Sequence, residues 1–559
     1  MLGAMAGRGP AMVSTTPATR TPAASDPGPL RPPWSARALI GAGLLVAAVA
    51  VTWLTFWWIG LSPASLAAGL DDTVRLLRRM WPPDLPGAGD VASMIAETLL
   101  IAVAGTAIAA VLSVPLGAAA SDRFTGPRVV QWLARAVIMV TRAIPSLVFA
   151  LILVRVFGLG PTAGGLAIAL HSVGMIGKMF ADAFEEQDPL AADAVEAAGA
   201  RRGQTFIATT LTRAMPRMAA IVLYRLDINV RASAVLGIVG AGGIGVALQT
   251  AIGTLNYRYA AGIIIVIVAL LLVLEGVSVL VQRRLAEHAH EGDVAMLFSP
   301  GRNAWTPGWT RRRVIRAITV WGLIAVVAWS LWVIAPDPDR ALRSLESTWR
   351  LLIGMFPPAF SPAVFAGLWE SFLMAITATT FGVVIGLILA ILSTDLVVRV
   401  PVVSTILRVV VVLVRGVPDL VWALLFVAAL GLGPFPGFLA LTISSTALAA
   451  KFFTDSLQNL DPLPMRALES AGAGRLQVFV AGVWPQFMPS FVGNGMFTSD
   501  LALRESAVLG VVGAGGIGFL LQESTRTLHY ETTSAIVLGL LVIVLALEVG
   551  ARWIRRAIL

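Results

Sequence analysis

The sequence predicts an all-α polytopic membrane protein of about twelve transmembrane helices, arranged as two bundles related by a pseudo-two-fold axis. Three observations predict it: long apolar runs, an internal repeat, and basic residues concentrated between the runs. Of 559 residues, 57% are hydrophobic and 13% charged, with a mean hydropathy of +0.83. A soluble chain carries about 25% charged residues. The runs at 37–60, 92–120, 128–157, 161–183 and 257–281 reach the roughly 20 residues that cross a bilayer core.

The net charge is +9, almost all from arginine in short loops between apolar runs. That is the pattern that orients membrane helices, so nucleic acid is excluded as a partner and lipid is expected. Cysteine is absent, and the four histidines, His171, His288, His290 and His529, have no metal-site spacing. No metal or cofactor is therefore expected. Residues 1–36 are rich in Ala, Pro, Gly, Ser and Thr and read as a disordered tail.

The repeat is the most informative feature. An offset of 273 residues superposes Glu97 on Glu370, Arg142–Pro145 on Arg415–Pro418, and Gly158–Pro161 on Gly431–Pro434. It also superposes Lys178 on Lys451, Val235–Gly245 on Val508–Gly518, and Glu275 on Glu548. Each half reads as an outer helix, about 37–60 or 314–335, followed by a core of five, about 92–282 or 365–556. The halves span 37–282 and 314–559, joined by a polar linker at 283–313. An even number of spans per half sets both the same way up, with the axis along the membrane normal. The arginine bias places both termini and the linker in the cytoplasm. The external loops at 61–91 and 336–364 hold Arg75, Arg78, Arg79, Arg340, Arg343 and Arg350. They are an exception to that bias and a candidate docking face. Trp53, Trp57 and Trp58 end the first span, where an aromatic belt is expected.

Between the fourth and fifth spans of each half lies a polar segment, Asp188 to Pro216 and Asp461 to Pro489. Each has Asp-Pro, a Glu, a small-residue step around Gly, then Gln and an aromatic. The pieces suit a short helix, a tight Gly turn and a second short helix that Pro ends or kinks.

At these residues the chain resembles the permeases of type I binding-protein-dependent ABC importers. Their hallmark is a cytoplasmic loop of Glu-Ala-Ala followed by Gly and later Pro. The resemblance implies that the loop's helix docks into a groove of a separate ABC ATPase dimer and transmits its closure. The residues it carries over are Glu196, Ala197, Gly199 and Ala200, and Glu469, Ala471, Gly472 and Ala473. Where the family places Glu six residues before Gly, this chain has Asp193 and Arg466, with Glu196 and Glu469 one helical turn later. The family Pro is present as Pro485 and replaced by Thr212 in the first half.

Neither lysine lies in Gly-x-x-x-x-Gly-Lys-Ser/Thr, so no phosphate-binding loop is present and the motor is expected on another chain. Residues 240–245 and 513–518 formally match Gly-x-Gly-x-x-Gly. No strand precedes them, so dinucleotide binding is rejected in favour of close packing or a helix break. Arg142, Arg231, Arg415 and Arg504 lie within apolar spans and are candidates to line an anion path, because guanidinium matches oxyanions bidentately. Asp227–Arg231 and Asp500–Arg504 are each spaced i,i+4, so simple pairing within the helix is the competing reading.

The core wording, including Glu97–Thr106, Leu170–Phe180 and Arg231–Gly245, resembles the phosphonate permease family in particular. The second copy has Ser444 where the first has His171. The resemblance implies import of phosphonate, phosphite or phosphate across a bacterial inner membrane, with a periplasmic or lipid-anchored binding protein. Methionine and glycine-betaine permeases share the docking loop and are the alternatives. A secondary transporter has no reason for two such loops, and no residue cluster supports an enzyme.

Overall fold

The computed structural model describes residues 46, 49–58, 63–123, 126–296, 311–336, 338–394 and 401–558. The predicted tail at 1–36 and the middle of the linker lie outside the described residues, as do parts of the first outer helix. Among the described residues, helices are joined by short turns and loops, with no β-strand.

The first half contains α1 (Val49–Trp58), α2 (Pro63–Met80), α3 (Ala88–Ala120), α4 (Arg128–Ala143), α5 (Ser146–Phe157) and α6 (Pro161–Glu185). It continues with α7 (Pro189–Ala197), α8 (Arg202–Thr205), α9 (Thr212–Leu236), α10 (Ile244–Gly253) and α11 (Tyr257–Met296). The second half repeats the series. Its helices are α12 (Arg311–Ile334), α13 (Pro338–Gly354), α14 (Pro362–Ser393), α15 (Pro401–Gly416), α16 (Asp419–Leu430) and α17 (Pro434–Gln458). They are followed by α18 (Pro462–Ser470), α19 (Arg475–Val478), α20 (Trp484–Leu509), α21 (Ile517–Arg526) and α22 (Tyr530–Ile558).

Among the described residues, eight helices are long and apolar enough to cross a membrane, and eleven spans result if each bent pair counts as one. α4 and α5 meet at 92°, α15 and α16 at 81°. Pro145 and Pro418 cause these bends, because proline cannot donate into a continuing helix. The ten described residues of α1 stand in the place of the twelfth span. α11 runs beyond residue 282 to Met296, so part of the predicted linker is helical.

Within each half, helices pack closely on one another through small residues. A Cβ on Gly105 of α3 would sit 2.7 Å from the Gly165 carbonyl of α6, and one on Gly382 of α14 would sit 2.5 Å from Ser445 of α17. In a membrane, close backbone approach replaces the hydrophobic drive available in water.

The outer helices are exchanged. Thr55 of α1 accepts a hydrogen bond from Thr377 of α14 at 2.6 Å, and Phe56 packs on Phe381 and Phe438 of the second half. Reciprocally, Ile334 of α12 is buried against Gly165 of the first half. One apolar core runs through both halves, from Ile101 and Leu147 to Leu368 and Leu503.

The structure also extends the repeat. α2 and α13 correspond with an offset of 275, through Met80-Trp81-Pro82-Pro83 and Met355-Phe356-Pro357-Pro358. Leu76 and Leu351 are the buried partners, while Val74, Leu77 and Trp81, and Trp349, Leu352 and Phe356, are exposed. These helices lie in the two loops expected to be external. Gly69 of α2 sits against Leu430 and Phe435 of the second half.

Candidate functional site: two coupling segments and a charged interface

α7 and α18 form at the same point of each half. The Asp188 side chain accepts from the Leu190 amide at 3.0 Å, and Asp461 from Leu463 at 2.9 Å. Pro189 and Pro462 come next, at the first helical position, where the missing N–H costs nothing. Each helix stops at a glycine with φ of +89° at Gly199 and +82° at Gly472. The Gly199 amide donates to the Glu196 carbonyl at 2.9 Å, and the Gly472 amide to the Glu469 carbonyl at 3.0 Å. A left-handed residue closing a helix in this way favours glycine.

Asp193, Glu196, Ala197 and Gly199 are exposed, with Ala200 half-buried. Glu469, Ala471, Gly472 and Pro485 are exposed, with Ala473 half-buried. Leu190 and Leu463 are also exposed, at the start of each helix. Neither helix contains a buried residue. Beneath α18, Gly482 has room for Met465 and Leu468.

Past the glycine turn, each segment departs from the predicted second short helix. α8 and α19 are one turn each. They pass through π-helical turns at 206–211 and 479–483 directly into α9 and α20. Pro216 and Pro489 lie inside those long helices. A wider turn just upstream accommodates the hydrogen bonds that proline disrupts. α8 is thereby continuous with α9, and α19 with α20, while α7 and α18 are set off by their glycine turns.

The glycine segment packs closely and breaks its helix, both as expected. The chain leaves α9 through a 3-10 turn, passes Gly240, Gly242 and Gly243 at positive φ, and restarts as α10. Side chains from α3 and α14 support the restart: Ile244 donates to Thr98 at 2.9 Å, and Gly516 donates to Glu370 at 2.8 Å. The Gly160 amide donates to the Gly240 carbonyl at 2.9 Å, and Gly433 to Gly513 at 2.9 Å. Beside these segments, at the end of the molecule away from α7 and α18, a cavity of about 270 Å³ opens between the halves. Gln249 and Gln522 face it from equivalent positions.

The four intramembrane arginines part company. Arg142 is ion-paired with Glu548, and Arg415 with Glu275, each across the boundary between halves. Arg504 chelates Asp500 through Nη2 at 2.7 and 3.0 Å, and its Nη1 donates to the Arg142 carbonyl at 3.2 Å. The expected i,i+4 pair therefore exists for Asp500–Arg504. Among the described residues no ion pair joins Asp227 to Arg231, and the Arg231 Nε has no acceptor. Arg231 lies within electrostatic reach of Asp227 and of Asp419 in the other half.

Sequence reasoning did not single out Arg225, Asp419 or Glu505. All three differ between the copies: Arg225 aligns with Thr498, Asp419 with Ser146, and Glu505 with Ala232. Comparing the mismatched rather than the matched positions of the repeat would have found them.

Two halves of six helical positions each, with the exposed helices α7 and α18 at one end and a cavity between the halves at the other, define a membrane transport subunit of the permease class. Residues 113–287 and 382–559 match the family described as binding-protein-dependent transport system inner membrane component. The chain belongs to that family, which it contains twice over. It is similar to the phosphate-import permease protein PhnE of Mycolicibacterium smegmatis, 38% identical over 507 residues, covering 90% of this chain and 92% of that one. It is also similar to the phosphite transport system permease protein PtxC of Stutzerimonas stutzeri, 36% identical, covering 41% of this chain and 83% of that one. A solved chain of the MetNI methionine ABC transporter, inward facing, covers 36% of this chain and 100% of its own length at 23% identity and TM-score 0.33.

Proposed function

We propose that the chain supplies both permease halves of an ATP-driven importer for a phosphorus oxyanion: phosphonate, phosphite or phosphate. Similarity to a phosphate-import permease over nearly the whole of both chains carries this reading. Each of the two halves supplies one coupling helix, so one polypeptide serves both subunits of an ATPase dimer. The N-terminus, the linker and the coupling helices face the cytoplasm. A binding protein delivers cargo to the opposite face, where α2, α13 and the 270 Å³ cavity lie.

ATP-driven closure of the motor draws α7 and α18 together. Because α7 is joined by its glycine turn to α8, which runs on into α9, and α18 likewise through α19 into α20, that motion reaches the membrane core. The bends at Ile144–Pro145 and Val417–Pro418 are the points at which each half can swing. Alternating exposure of the space between halves moves the cargo. The coupling residues are Asp193, Glu196, Ala197, Gly199 and Ala200, and Glu469, Ala471, Gly472, Ala473 and Pro485. Of the arginine candidates, Arg231 retains the best claim to meet cargo, because Arg142, Arg415 and Arg504 already hold carboxylates.

The test is ligand binding by the partner binding protein, measured across methylphosphonate, phosphite, phosphate, methionine and glycine betaine. Selective binding of one or more of the phosphorus anions is expected. Binding of methionine or betaine alone would contradict the reading.

A further inference from the structure

Arg225 is the anomaly of the molecule. It lies midway along α9 with 3% of its surface exposed. Among the described residues no carboxylate pairs with it, and its Nε has no hydrogen-bond acceptor. Nη2 reaches only neutral oxygens, Ser172 Oγ at 3.3 Å and Asn229 Oδ1 at 3.4 Å, both long for such bonds. An uncompensated cation inside a membrane bundle is costly, and such residues mark ligand or ion paths.

The surroundings are built to hold polar groups. Asn229 donates to Thr106 at 2.8 Å and accepts from Ser172 at 3.0 Å, so its amide is fixed by two helices, α3 and α6. His171 Nδ1 bonds the Ile144 carbonyl at 2.9 Å, in the bend between α4 and α5. His171 also lies within electrostatic reach of both Arg225 and Arg504.

The second half shows that the fold does not require this arrangement. It builds the same bundle with Thr498, Ala502 and Ser445 at the positions of Arg225, Asn229 and Ser172. Thr498 bonds its own helix at the Asn494 carbonyl, 2.8 Å away. The second half has carboxyls of its own, Asp419 and Glu505, within electrostatic reach of each other, but at the positions of Ser146 and Ala232 rather than of Arg225. The first half therefore holds a buried arginine at a place where the second half has only a neutral hydroxyl, Thr498.

We infer that Arg225, with Ser172 and Asn229, forms a single oxyanion-binding site in the first half, occluded in this conformation, through which the cargo passes. The inference rests on the phosphorus-oxyanion reading above. Guanidinium supplies parallel donors to two oxygens of a tetrahedral anion, and the hydroxyl and amide supply further donors when they rotate. Because the second half lacks the site, one anion is held per complex.

The test uses the full chain reconstituted with its ATPase and binding protein, and measures uptake of inorganic phosphate, phosphite and methylphosphonate. R225T installs the residue that the second half already tolerates, and R225K keeps the charge but loses the fork. Assembly is checked by co-purification of the three components. R225T is expected to assemble and to lose uptake at least tenfold, with R225K between R225T and the wild type. Wild-type uptake in R225T would overturn the site. Loss of assembly in R225T would overturn it too, by assigning Arg225 to folding. If the wild-type chain moves none of the three anions, the cargo reading falls first and the site with it.

Discussion

Arg142, at the end of α4 in the first half, is ion-paired with Glu548 on α22 of the second, and Arg415 with Glu275 repeats the contact in the other direction. The four residues are related by the 273-residue offset, so the bridges form a symmetric pair across the boundary. Their side chains are 20–34% exposed, which leaves them only partly screened. Removing one partner strands a charge at the boundary, whereas exchanging both restores the pair. E548Q is expected to lower stability by about 1–3 kcal/mol. The exchange R142E/E548R should recover most of that loss in a double-mutant cycle measured by thermal unfolding in detergent. Additive effects of the two changes would show that the bridge contributes nothing.

Gly199 and Gly472 hold left-handed backbone, but a Cβ at either would meet nothing within 4 Å. The penalty of a substitution there is conformational, about 1–2 kcal/mol, and tilts the coupling helix. A complex containing G199V/G472V is therefore expected to hydrolyse ATP on its motor with little uptake, while G199N/G472N, which tolerates left-handed backbone, keeps more coupling. The ratio of anion taken up to ATP consumed is the measurement.

Gly237 and Gly510 fail for the opposite reason. A Cβ on Gly237 would lie 2.5 Å from the Gly242 carbonyl, and one on Gly510 would lie 2.5 Å from the Gly515 carbonyl. Backbone cannot yield as a side-chain tip can. G237A and G510A should each destabilise by about 1–3 kcal/mol, as overpacking does. Gly276 has open space around it, so G276A should leave the unfolding temperature nearly unchanged.

The exchange of outer helices is directly testable because the chain contains no cysteine. Thr55 and Thr377 touch through their hydroxyls at 2.6 Å. T55C/T377C is expected to form an intramolecular disulfide under mild oxidation, read as a mobility shift after proteolysis in the linker. Pairing of Thr55 positions with α3 of their own half instead would contradict the exchange.

Much of the fold was legible in the sequence. The identical stretches of the repeat gave the two halves, and Asp-Pro followed by Gly gave α7 and α18 with both their ends. The capping carboxylate and the left-handed glycine act locally, so their residue types are diagnostic. The repeat in α2 and α13 escaped because the connection into α14 is two residues shorter than that into α3, which breaks the register before Glu97. The exchange of α1 and α12 escaped because apolar helices carry no mark of which bundle they cover. Arg142 and Glu548 were visible as repeated charges, but their pairing is a contact between distant segments. Within a helix, spacing foresaw Asp500–Arg504 and equally foresaw Asp227–Arg231, where no bridge forms. There Asp419 of the other half supplies a competing charge that no local pattern announces.

The central claim is that a separate motor drives this chain through α7 and α18. The decisive measurement is accumulation of radiolabelled phosphate in proteoliposomes containing the chain, its ATPase and its loaded binding protein, with ATP supplied on the coupling-helix side. Accumulation that requires ATP and ceases when the ATPase is omitted is the expected result. Accumulation driven by a proton gradient, with neither ATP nor ATPase present, would contradict the claim.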